Sequence, residues 1–254
     1  MKCALLISGQ PRSVLQSYEN IFEKIIDPNN CDVFTHSWID PKMFGKQYYS
    51  QWLLKHREIY EPNIKTEPAS SIVPDNIEEL IVNLYKPKKF FFESPKIFKY
   101  NLILDNYKTP TIDPQDVLSQ LYSMYSANQL RKQYEIENNI KYDVIIRIRF
   151  GMVFDSHIWP LSHFAGNTIC FIPCGFSGFD NKQAFLNHIS ICDHFVISNS
   201  KGMDIYTDTF NQLEFLITNK YCHWQCEDAI GSWVRIVNKI PVALLDILYR
   251  INVK

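Results

Sequence analysis

Two arginines stand inside a run that otherwise reads as a buried strand, "YDVIIRIRFGMVFD" at residues 142–155. With a side-chain period of two, Ile145, Arg147 and Arg149 share one face, and Val144, Ile146 and Ile148 share the other. An isolated guanidinium is costly in an apolar interior, so each arginine needs a partner. Either they pair with internal carboxylates such as Asp32 or Asp143, or they point toward an anion at the strand end. The planar guanidinium suits phosphate because its fork engages two oxygens at once. Arg149, nearer the strand end, is expected to touch the ligand, and Arg147 is expected to be structural.

Three further segments carry chemistry. In "SGQPRS" (8–13), Ser8 and Gly9 end an apolar run, and the glycine lets the backbone approach a ligand. The helix expected after it offers free N–H groups to an anion, and a bound anion would offset the unfavourable placement of Arg12 at a helix start. A plain strand-to-helix turn with a solvated arginine would look the same. The segment lacks the glycines of a Walker loop or a dinucleotide fingerprint. In "CED" (226–228), Glu227 and Asp228 are ordinary helix-opening acids. They are also suited to general-base removal of a hydroxyl proton. Trp224 offers a flat face on which a sugar would stack. In "FSGFDNKQAF" (176–185), read as a loop, Asp180, Asn181 and Gln183 supply groups suited to sugar hydroxyls or a cofactor.

Composition narrows the partners. The net charge of −1 gives no global basic field for nucleic acid or an acidic membrane surface, so any anion site is local. Seven cysteines are scattered, and the Cys170/Cys174 and Cys222/Cys226 spacings, with His223 beside the latter, are looser than a structural zinc site prefers. Buried free cysteines are expected instead. No run approaches the roughly 18 apolar residues of a membrane span, and the N-terminal run is too short for a secretion signal. Those features predict a reduced, cytoplasmic chain.

The elements that would position these residues follow from periodicity. "KCALLISG" and "CDVFTHSW" (31–38) read as strands on either side of a helix with a Val14, Leu15, Tyr18, Ile21, Phe22, Ile25 stripe, with Ser13 and Gln16 as its capping box. That β-α-β start predicts a parallel sheet. Residues 39–73 read as a long loop with some helix. Asp75 and Glu78 cap a helix carrying Ile77, Leu80, Ile81 and Leu84; a strand follows at 88–94, and 95–112 is irregular. Asp113-Pro114 opens a long helix to about 138. Strands follow at 142–150, 167–173 and 192–198, then a helix capped by Ser200 and a last helix at about 225–238. One α/β domain over 1–254 is the simplest organisation.

Taken in order, "LLISGQPRS", "CDVFTHSW", "YSMYSANQL", "YDVIIRIRF", "GFDNKQAF" and "FVISNSKGMDIY" resemble a group of GT-A-type glycosyltransferases, found in bacterial polysaccharide clusters and in some large DNA viruses. The resemblance spans nearly the whole chain and rests on motif order. It implies a GT-A-like, Rossmann-like nucleotide-binding half (1–150), an acceptor and catalytic half (151–254), and a mixed, mostly parallel sheet flanked by helices. It further implies a UDP- or GDP-type nucleotide-sugar donor and a glycan acceptor. On that basis the Ser8–Arg12 turn and Arg149 contact the donor, Asp228 is the base of an inverting displacement, and Glu227 binds acceptor or sugar. Such enzymes usually continue the strand as Arg-x-Arg-x-Asp, the acid holding Mg²⁺ or Mn²⁺, but this chain has Gly151 there and no Asp-x-Asp anywhere. Three outcomes follow. Arg12 and Arg149 neutralise the diphosphate without metal, Asp155 or Asp180 supplies a relocated ligand, or the protein is a weak or inactive module that binds nucleotide sugar or glycan without turnover.

Overall fold

The computed structural model describes residues 1–46, 72–101, 112–158, 161–166, 168–173 and 189–251. β1 (Cys3–Gly9) is apolar on both faces and buried along nearly its whole length, as a central parallel strand must be. The chain then turns into α1 (Val14–Ile21), which continues through a π-helical stretch, Phe22–Ile26, and returns as β2 (Asp32–Trp38). α2 (Ile77–Tyr85) and β3 (Lys89–Glu93) follow. α3 (Pro114–Asn138) starts as its sequence dictates: Pro114 occupies the first turn, and the Asp113 side chain accepts the Gln115 N–H at 2.9 Å.

β4 (Val144–Arg149) runs parallel to β1, and a tight turn leads into β5 (Met152–Phe154). β6 (Cys170–Pro173), β7 (Val196–Ser198), α4 (Ser200–Thr218) and α5 (Cys226–Gly231, continued by a π-helical turn over Ser232–Val237) come next. β8 (Val242–Leu245) and β9 (Tyr249–Ile251) are the last described strands. Among the described residues, seven strands form one sheet in the order β3-β2-β1-β4-β7-β6-β8. The β1/β2, β2/β3, β1/β4 and β6/β8 pairs are parallel, while β7 is antiparallel to both β4 and β6. β5 and β9 make a separate antiparallel pair. The architecture is the expected mixed, mostly parallel α/β sheet flanked by helices. No described helix is long and apolar enough to cross a membrane.

Register fixes which residues share a face. Ser8 lies opposite both His36 and Arg149, so these three point the same way, as do Leu6, Phe34 and Arg147. α3 and α4 cover that face. His36, fully buried, meets Ser123 Oγ of α3 through Nδ1 (2.8 Å) and Glu93 Oε1 of β3 through Nε2 (3.0 Å), tying three elements together. α1 and α2 cover the other face, where the Tyr18 and Tyr85 rings meet edge-on at 5.2 Å.

Three expected caps fall one residue away or fail. Ser13 makes no capping bond, because it adopts left-handed φ (+49°) in the turn and its carbonyl instead accepts the Ser17 N–H and hydroxyl. Asn76, not Asp75, precedes α2, and Asn199, not Ser200, caps α4 by accepting the Gly202 N–H at 2.9 Å. The strand expected over 192–198 begins only at Val196, leaving 192–195 as a loop.

Candidate functional site

The chain passes from β1 outward to β2 and β3, then returns to place β4 on the other side of β1. The carboxyl ends of β1 and β4 therefore flank a topological switch point, where open α/β sheets hold ligands. Ser8 and Gly9 end β1 there, and Arg147 and Arg149 end β4.

The turn after β1 is tight. Gly9 has φ +115°, the Arg12 N–H reaches the Gln10 carbonyl at 2.8 Å, and the Arg12 guanidinium donates to Gln10 Oε1 through Nε (2.9 Å) and Nη2. The β4–β5 turn packs directly on it. A Cβ added to Gly151 would lie 2.9 Å from the Arg12 carbonyl oxygen and 3.5 Å from Ser13 Cβ, and Gly151 has φ +79°. Glycine at 151 thus has a backbone reason: left-handed φ and a close approach together exclude side chains, carboxylates included.

Arg147 is almost wholly buried. Its Nε and Nη2 donate to Ser8 Oγ at 3.2 and 3.0 Å, while Nη1 has no hydrogen-bond partner. Arg149 is half-buried, with Nη1 3.8 Å from Asp193 Oδ2. The arginines' carboxylate is therefore Asp193, not Asp32 or Asp143. Asp32 takes the Tyr142 hydroxyl at 2.7 Å and Lys88 at 3.4 Å, and Asp143 accepts the Lys2 N–H at 2.7 Å. Asp193 is buried, accepts from Gln120 Nε2 of α3, and has its Oδ1 3.3 Å from His194 Nε2. Tyr249, from β9, places its hydroxyl 3.4 Å from His194 Nδ1.

The electrostatics follow from burial and crowding. Burial drives the His194 pKa down to about 3, with Asp193 opposing and Arg149, Arg147 and Arg12 reinforcing, so the imidazole is neutral at physiological pH. Glu227 opens α5 among Asp193 and Asp228. Burial first, then those carboxylates, push its pKa up to about 8, with Arg149 opposing. Asp228 accepts from Ser190 Oγ, and the Ile191 N–H donates to the Glu227 carbonyl at 3.0 Å, so segment 189–193 is laced to the start of α5.

Of the residues singled out in sequence, Ser8, Gly9, Arg12, Arg147, Arg149 and Gly151 gather at the strand ends, and Glu227 feels both Asp193 and Arg149. Two do not fit. Trp224 is buried (1% exposed) with its ring 5.0 Å from that of Tyr100, so it offers no face to a sugar. Asp155 is exposed beyond the extended β5, about 13 Å along the chain from Gly151, and the turn does not fold it back. Among the described residues, no group of three or more His, Cys, Asp or Glu is arranged to hold a metal ion. Asp180, Asn181 and Gln183 lie outside the described residues.

Asp193, His194 and Tyr249 escaped the sequence reading. An Asp-His pair within the supposed strand "CDHFVIS" was the available signal, since buried ionisable groups need partners there as much as in β4. No family model matches the chain, and no curated protein matches it.

Proposed function

We propose that the protein is a glycosyltransferase that moves a monosaccharide from a UDP- or GDP-type donor to a glycan hydroxyl. The observation that carries this reading is the half-buried Arg149, ending β4 at the switch point beside the Arg12 turn that packs on Gly151. A donor diphosphate suits a guanidinium so placed, and the close-packed Ser8–Arg12 turn suits backbone contact with it. In this reading the acceptor oxygen attacks the anomeric carbon as the bond to the diphosphate breaks. Arg149 and Arg12 stabilise the charge that develops on the leaving group. The acceptor proton passes to a carboxylate of the Glu227–Asp228 pair, with Asp228 the base on motif order. GT-A membership rests on that order and on the parallel half of the sheet.

The test is a thermal-shift panel of nucleotide sugars with Mn²⁺ and with EDTA, followed by a transfer assay. A UDP- or GDP-sugar is expected to stabilise the chain, and Arg149→Ala to weaken it about 10- to 100-fold, the loss of one charge-assisted contact. Asp228→Asn is expected to abolish transfer while binding persists. Binding without turnover under every metal condition assigns a binding module instead. Absence of any nucleotide-sugar binding overturns both.

A further inference from the structure

At the opposite end of the sheet from the candidate site, two thiols meet. Ala4 pairs with Asp32 in the parallel β1/β2 ladder, so Cys3 and Cys31 stand opposite each other one step earlier, on the face covered by α1. Their sulfurs are 2.6 Å apart, inside the ~3.5–4.0 Å at which non-bonded heavy atoms pack. Neighbouring strands lie about 4.8 Å apart, within the Cα separation that a disulfide spans. Both backbones are pinned. The Lys2 N–H donates to the Asp143 carboxylate and the Asp143 N–H to the Lys2 carbonyl, while the Cys31 N–H donates to the Ile26 carbonyl at 3.1 Å. Little conformational freedom remains to be lost in joining the two sulfurs.

We propose that Cys3 and Cys31 form a redox modification site in which a disulfide oxidant of the glutathione class closes a bond across the amino ends of β1 and β2. One cysteine, as thiolate, attacks glutathione disulfide, forming a mixed disulfide and releasing one glutathione. The other then attacks the protein-side sulfur, closes the Cys3–Cys31 bond and releases the second glutathione. Two protein thiols lose two protons and two electrons, and the oxidant leaves as two reduced glutathiones. Burial raises the Cys31 pKa well above that of an ordinary thiol, with the Cys3 sulfur adding to the rise, so exchange is slow. Access comes through transient local opening around Cys31, which is 9% exposed against 2% for Cys3. The closed loop joins positions 28 apart, which restricts the unfolded chain and raises stability.

The full-length chain is equilibrated without denaturant in glutathione buffers of increasing oxidised fraction, then acid-quenched, alkylated and cut with trypsin. The expected product joins peptide 3–12 to peptide 25–42, with two fewer alkylated thiols than the seven of the reduced chain. Reduced glutathione should reverse it, and oxidation should raise Tm by about 5 °C or more. Cys31→Ala should lose both the cross-link and the Tm difference. Seven alkylated thiols at full equilibration, a cross-link from Cys31 to another cysteine, or one that forms only in denaturant each overturns the proposal, and the wild-type peptide map decides even where the variant fails to fold.

Discussion

A carboxylate at position 151 would have to share its space with the Arg12 carbonyl, and that collision reads differently from a simple loss of a metal ligand. The φ of +79° and the 2.9 Å approach mean that even a methyl group is strained there. Gly151→Ala is expected to cost about 2–4 kcal/mol, combining left-handed backbone strain with overpacking. It should lower the urea midpoint while leaving the m-value unchanged. Gly151→Asp therefore tests packing before it tests metal binding. Glu227 makes a pH prediction. Its pKa rises from about 4.5 to about 8 on folding, so the folded state holds the proton more tightly. Its stabilising contribution is complete below about 4.5, declines as pH rises toward 8, and is gone above it. Urea titrations of wild type and Glu227→Gln should diverge across that window and run parallel above it. If Glu227 is also the base, transfer rises through pH 8 and the variant loses that limb; an unaltered profile leaves the proton with Asp228. The arginines were legible because period two placed them on one face of an apolar strand. Asp193 was marked only by the Asp-His pair in a segment read as strand, and that pair does not say which arginine it meets across the fold.

The elements are held together by polar staples that their periodicity does not announce. Arg131, on the buried face of α3, donates to Asn128 Oδ1 and Glu135 Oε2 at 2.9 Å each, to Ser200 Oγ at 3.1 Å, and to Asp204 of α4. Glu135 in turn accepts the Tyr142 N–H at the approach to β4. Arg131→Met should destabilise the fold by about 3–5 kcal/mol, since it leaves the buried Glu135 with only the exposed Lys141, 3.3 Å away, as its cation. Denaturant melts would register this, and a loss under 1 kcal/mol would show the staple to be ornamental. Helices were read well where an apolar stripe met Pro114 or a polar cap. Their first residues slipped by one at Asn199, whose side chain caps α4, and at Asn76, which precedes α2 without a side-chain capping bond. The β5–β9 pairing had no local signature at all, because it joins Met152 with Ile251.

For the molecule as a whole, the β-α-β start correctly implied parallel pairing, but strand order is a long-range property that short patterns do not encode. The antiparallel insertion of β7 between β4 and β6 and the seating of the candidate site at the switch point became visible only in three dimensions. The same placement has a consequence for how the chain is made. β1 is synthesised first yet sits between β2 and β4, and its register partner for Ser8 is Arg149. At ordinary elongation rates, roughly 7 to 28 s pass between the end of β1 and the end of β4. Through that interval one edge of β1, buried from Cys3 to Ser8 in the finished sheet, waits without its neighbour and is open to pairing with other chains.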